Sequence, residues 1–101
     1  MNLSRIKKLQ KLHGFDGIQA MINDGSAWKM EGSFGREASA LLESGVCMLP
    51  TTPKYDVYGN RVPSRYDLKE GTKGTYLNSK NFWTSVESGK SEIDEFAEIE
   101  D

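Results

Sequence analysis

This chain has little of what many functional assignments depend on. Its 101 residues include one cysteine, Cys47, and one histidine, His13. A lone cysteine cannot form a disulfide within the chain, which favours a reducing compartment, and one cysteine with one histidine cannot supply the four ligands of a structural zinc site. No apolar run approaches the ~20 residues that a membrane-spanning helix needs. We therefore expect a small protein without a disulfide framework, a zinc site or a membrane span.

Signals for export and for catalysis are scarce as well. The N-terminal residues are basic but lack the apolar stretch of a signal peptide, so we expect a cytoplasmic or virion location. No nucleophile is tied by sequence to His13, and the apolar neighbours of Cys47 favour core packing. The segment Gly71 to Thr75 lacks the spacing of a phosphate-binding loop and is interpreted as a turn. We expect a non-enzymatic protein without a cofactor.

Charge is divided unevenly along the chain. The net charge of −2 combines residues 1–90, which hold all thirteen Lys and Arg and nine acids for a net +4, with residues 91–101, which hold six acids and no base. Opposed charges in one chain indicate interaction surfaces or self-contact. The acidic tail also contains Ile93, Phe96 and Ile99, a pattern typical of segments that order on binding. We predict these three residues as partner-binding anchors, with a purely solvating tail as the alternative.

Apolar spacing and capping residues predict a helical body over residues 1–49. The first helix is expected from Leu3 to His13, with Leu3, Ile6, Leu9 and Leu12 at helical spacing. A second is expected over residues 16–23 and a third over residues 36–44, which Gly45 ends in a left-handed conformation. The apolar residues 46–49 are either a strand or a buried connector.

A last helix from Leu77 to Ser88, within the segment 77–90, is expected to pack on the body with Trp83 turned inward. The predicted core consists of Trp28, Leu41, Leu42 and Phe82. Between body and last helix, residues 50–76 contain all three prolines and two turn signals, with neither helical period nor clean strand alternation. The prediction is a mainly α protein: a small helical body with a long irregular extended arm and an acidic C-terminal tail.

The arm carries the residues that we predict to bind a partner: Tyr58, Arg61, Arg65 and Tyr66. They flank Pro63, which fixes its own φ and disfavours helix before it, so their side chains are expected to splay from an extended backbone. Tyr and Arg dominate protein interfaces, which favours a protein partner. The alternative is single-stranded nucleic acid, in which cations contact phosphates and rings stack on bases.

Two stretches of this sequence resemble small accessory proteins encoded by tailed bacteriophages. The first is Glu31-Gly32-Ser33-Phe34-Gly35-Arg36-Glu37-Ala38, and the second runs from Tyr58-Gly59-Asn60-Arg61-Val62-Pro63-Ser64-Arg65 through Gly71-Thr72-Lys73-Gly74-Thr75. The resemblance implies a virion component or a regulator directed at a host protein. It implies no particular activity and no site residue.

Overall fold

A computed structural model of the protein describes residues 1–30 and 33–89. The α-helices in these ranges are α1 (Leu3–Leu12), α2 (Asp16–Asp24), α3 (Phe34–Ser44) and α4 (Tyr76–Glu87). A short 3-10 helix, Ser26–Trp28, follows α2, and the strands β1 (Lys54–Tyr55) and β2 (Arg61–Val62) pair antiparallel. The prediction of a mainly α protein is confirmed. The acidic tail, residues 91–101, lies outside the described residues.

Local sequence explains where the helices begin and end. Asn2 starts α1 by accepting a hydrogen bond from the backbone N–H of Arg5 at 2.9 Å, and Thr75 caps α4 in the same way toward Asn78. These caps satisfy donors that have no partner within the helix. At the other end of α3, Gly45 has the predicted left-handed conformation, with φ of 99°.

The core takes side chains from all four helices and from the segment after α3. Its buried apolar residues are Ile6, Leu9, Phe15, Ile22, Ala27, Ala38, Leu41, Leu42, Val46, Cys47, Met48, Leu49 and Trp83. The predicted burial of Leu41 and Leu42 is confirmed, whereas Trp28 and Phe82 are only partly buried.

The three-residue spacing of apolar side chains in α1 identifies only some of the residues that are buried. Ile6 and Leu9 are buried, but Leu12 is 75% exposed and Leu3 is 37% exposed. Steps of three residues drift by 60° against a helix of 3.6 residues per turn. Over three such steps, the first and last leucines therefore end on opposite sides of the helix.

Residues 45–50, here called the central connector, cross the core without joining a helix or a strand. The buried-connector interpretation of residues 46–49 is therefore confirmed. Side chains from α1 and α4 bond to its backbone: Gly45 O accepts from Ser79 Oγ at 2.6 Å, and Val46 O accepts from Gln10 Nε2 at 2.8 Å and Trp83 Nε1 at 3.2 Å.

From α2, Gln19 bonds the next part of the connector. Its Oε1 accepts from Met48 N at 2.8 Å, while its Nε2 donates to Met48 O at 2.8 Å. Gln10 Nε2 also donates to Gln19 Oε1 at 2.9 Å, which joins the two glutamines. Both side chains are buried. A buried backbone without a helix or sheet ladder needs such partners, because each unpaired polar group costs free energy.

Two glycines let other backbone segments approach the connector closely. A Cβ on Gly45 would lie 2.7 Å from Phe82 Cβ and 2.8 Å from Asn78 O, and a Cβ on Gly74 would lie 2.7 Å from Leu49 Cδ1. Both glycines also have positive φ. Any side chain at either position would therefore be strained as well as crowded.

The prediction of an extended arm over residues 50–76 is wrong. The segment forms the β1–β2 hairpin and folds back on the body, where Pro50, Ser64 and Arg65 are buried. Leu49 N donates to Gly74 O at 2.9 Å, which ties the far end of the segment to the connector. Within the described ranges, no helix has the length and apolar character to cross a membrane.

We predict that Leu41→Ala lowers the free energy of unfolding by about 2–5 kcal/mol, because it leaves a cavity among buried neighbours. Met30→Ala is the matched control, and the 47% exposure of Met30 predicts a change within about 0.5 kcal/mol. Urea denaturation of both variants measures the difference. Similar values for the two would contradict this description of the core.

Candidate functional site

An exposed aromatic surface lies on the middle segment. It consists of Tyr55, Val57, Tyr58 and Tyr66, which are 54%, 62%, 85% and 70% exposed, and we call it the tyrosine surface. The other exposed large apolar side chains in the described ranges, Leu3, Leu12 and Met30, lie elsewhere in the sequence. These four residues lie within twelve positions of one another, on the hairpin and on the turn that follows it. Several exposed apolar side chains on neighbouring turns indicate an interaction site more strongly than a single exposed residue does.

The tip of the hairpin is held by Asp56. Its Oδ1 accepts from the backbone N–H groups of Tyr58 at 2.9 Å and Asn60 at 2.8 Å. Two backbone hydrogen bonds close the same turn, from Asp56 N to Asn60 O and from Gly59 N to Asp56 O, both 3.0 Å. The hydrogen bond from Asn60 N–H is the main cause that lowers the pKa of Asp56. Tyr58 is therefore presented on a fixed turn.

A second carboxylate holds the turn that carries Tyr66. Asp67 Oδ2 accepts from Ser64 N at 2.9 Å and from Arg61 Nη2 at 2.9 Å, which joins this turn to β2. The pKa of Asp67 is lowered mainly by the hydrogen bond from the Ser64 N–H, and Arg61 lowers it further. Tyr66 thus stands on a turn that is attached to the hairpin.

The four arm residues predicted to bind a partner have different environments in the structure. Tyr58 and Tyr66 are exposed as expected, and Arg61 is exposed but paired with Asp67. The expectation that Arg65 splays outward is wrong. It is 6% exposed, and its Nε donates to Leu49 O at 2.7 Å. Burial lowers the pKa of its guanidinium. Arg65 supports the connector and does not present a contact surface.

Tyr55 and Val57 were not among the predicted partner-binding residues. The available signal was the hairpin pattern around the turn from Asp56 to Asn60, in which Gly59 has a left-handed conformation. The other predicted anchors, Ile93, Phe96 and Ile99, lie outside the described residues.

His13 and Cys47, the two residues considered for catalysis, both make packing contacts in the structure. His13 packs its ring against Trp83 at a centroid distance of 5.5 Å. Cys47 is buried in the connector, and burial raises the pKa of its thiol to about 12. Among residues 1–30 and 33–89, no three His, Cys, Asp or Glu side chains gather as metal ligands.

An apolar cavity lies beside the connector. It has a volume of about 190 Å³, and its walls include Leu42, Leu49, Pro63 and Leu68. The ion pair between Lys73 Nζ and Glu43, at 3.0 Å, borders it. Pockets for drug-sized ligands usually enclose about 300–1,000 Å³. The cavity is therefore small for such a ligand, and the tyrosine surface is the stronger candidate site.

Comparison with protein-family models, with curated proteins and with solved structures gives no significant match to this chain.

We predict that Cys47 reacts with thiol reagents in the folded protein far more slowly than in the chain unfolded by denaturant. The thiolate is the reactive form. Because the pKa of Cys47 in the folded protein is about 12, little thiolate is present near neutral pH. Between the unfolded-state value of about 8.5 and about 12, only the unfolded chain ionises this thiol. This group therefore lowers the free energy of unfolding as pH rises through that window.

Labelling followed by mass spectrometry from pH 7 to pH 10 measures the rates, and urea denaturation compares the wild type with Cys47→Ala. The variant should lack this part of the alkaline loss of stability. Equal labelling rates for folded and unfolded protein would show that Cys47 is accessible.

Proposed function

We propose that this protein is a non-enzymatic binding factor that contacts a protein partner through the tyrosine surface. The supporting observation is that Tyr58 and Tyr66 are exposed on turns that Asp56 and Asp67 hold in place. An aromatic side chain on a fixed turn loses little conformational freedom on binding. Tyrosine is also among the residues that contribute most to protein interfaces.

The charges around the tyrosine surface favour a protein over single-stranded nucleic acid. Binding to single strands combines stacked rings with a groove of free cations. Arg61 is paired with Asp67, Arg65 is buried, and Asp56 places a carboxylate next to Tyr58. Neither arginine is a free cation beside the exposed rings. The nucleic-acid alternative therefore loses two of the cations that it would use, although Lys54 and Lys69 form no ion pair within the described residues.

The setting of this binding is part of the proposal and rests on the resemblance to bacteriophage accessory proteins. A virion protein or a bacterial host protein is the expected partner. The location would accordingly be the virion or the host cytoplasm.

The experiment is a two-step measurement. Tagged wild-type protein captures partners from a bacterial lysate or from disrupted virions, and the affinity for the identified partner is then measured for variants. We predict that Tyr58→Ser and Tyr66→Ser each weaken binding by about 2 kcal/mol, which corresponds to about thirty-fold in Kd. Met30→Ser, an exposed apolar position outside the surface, is the matched control and should leave affinity unchanged.

A titration of single-stranded DNA and RNA followed by fluorescence anisotropy, at two salt concentrations, separates the two functions. The proposal expects no binding that depends on Tyr58 or Tyr66. Salt-sensitive oligonucleotide binding that is lost in both tyrosine variants would overturn it in favour of nucleic acid. Partner affinity that is unchanged in both variants would show that the tyrosine surface is not the contact.

A further inference from the structure

The outward face of α1 carries lysines that form no ion pair with the described part of the chain, although Asp16 lies beside the same depression as Lys7 and Lys11. Lys7, Lys8 and Lys11 are exposed. The ion pairs within residues 1–30 and 33–89 are Arg5–Glu87, Arg61–Asp67 and Lys73–Glu43, so none includes these lysines. Lys7 and Lys11 are four residues apart, and Lys8 and Lys11 are three apart. Like charges at these spacings repel and destabilise a helix.

An exposed leucine lies among these lysines. Leu12 follows Lys8 by one helical turn and is 75% exposed. The face (Lys7, Lys8, Lys11 and Leu12) therefore combines unpaired cations with an uncovered apolar side chain. A segment that mixes acidic and apolar residues has the complementary composition.

The C-terminal end of α4, after which the described residues soon end, lies next to α1. The guanidinium of Arg5 binds the carboxylate of Glu87 at the last residue of α4. One turn earlier, the ring of Trp83 packs against His13 at 5.5 Å. The end of α4 is thus attached to α1 at Arg5 and to the residue that caps α1, His13, and the described chain ends at Gly89, two residues after Glu87.

The sequence that follows has the length and the composition to cover the face. Residues 91–101 carry six acids, no base, and the apolar residues Ile93, Phe96 and Ile99. Eleven residues can span up to ~36 Å at ~3.3 Å each. The ten residues of α1 extend only ~15 Å. Reach therefore does not limit contact between this segment and the helix.

We propose that the outward face of α1 is the docking surface for the acidic segment 91–101 of the same chain. The acids neutralise Lys7, Lys8 and Lys11, and an apolar residue of the segment covers Leu12. This contact is separate from the tyrosine surface and does not depend on its function. It also makes the segment an internal competitor for any polyanion that α1 would attract.

A paramagnetic label on the segment tests the proposal in the full chain. Ala97→Cys provides the attachment site, and the buried Cys47 stays unlabelled. We expect selective broadening of the amide resonances of Lys7 to Leu12. The broadening should be lost in Lys8→Glu/Lys11→Glu, and also in 1 M salt, where the screening length falls to about 3 Å.

Matched variants separate a specific contact from general attraction. Lys29→Glu/Lys69→Glu changes the net charge equally at exposed positions outside α1 and should preserve the broadening. Adding Glu95→Lys/Glu98→Lys to the Lys8→Glu/Lys11→Glu variant should restore it. This rescue also shows that the lysine variant remains folded.

Three results would overturn the proposal. The first is a spectrum in which the α1 resonances are not broadened. The second is broadening centred on the tyrosine surface. The third is broadening that arises only when a labelled chain is mixed with an unlabelled, isotope-enriched chain, because the segment would then contact a second copy.

Discussion

The structure depends on how the central connector is bonded. Six residues cross the core without a helix or a sheet ladder, so their N–H and C=O groups need other partners. Side chains from other elements supply partners for both polar groups of Met48 and for the carbonyls of Gly45, Val46 and Leu49. They are Gln10 from α1, Gln19 from α2, Ser79 and Trp83 from α4, and Arg65 from the middle segment. Each of these side chains also fixes its own element against the connector. The polar bonds thereby set the arrangement of the helices around a modest apolar core.

The same constraint explains why the middle segment can carry a binding surface. The guanidinium of Arg65 bonds to Leu49 O, and its backbone N–H bonds to Pro50 O at 2.9 Å. These bonds hold the segment at the position that directly precedes Tyr66. Asp56 and Asp67 then fix the two turns that carry the exposed rings. The tyrosine surface is consequently supported from the core outward.

Local signals predicted the helices, because periodicity and caps act over a few residues. Gly45 illustrates this, since it ends α3 in the predicted left-handed conformation with its N–H bonded to Leu41 O, four residues away. The roles of Gln10, Gln19 and Arg65 could not be predicted in the same way. Their connector partners lie 36, 29 and 16 residues away in sequence, and polar residues on helices or in loops are usually solvent-exposed. For this reason the sequence predicts an extended arm from which the side chain of Arg65 points into solvent.

Native-state hydrogen exchange at the Met48 amide tests the role of the connector most directly. This N–H belongs to no helix or strand, yet it donates to the buried Gln19 side chain. We predict that it exchanges only through global unfolding, with a free energy equal to that measured by denaturant for the whole chain. Exchange through a local opening of near-zero free energy, as in surface loops, would contradict the claim that the connector holds the fold together.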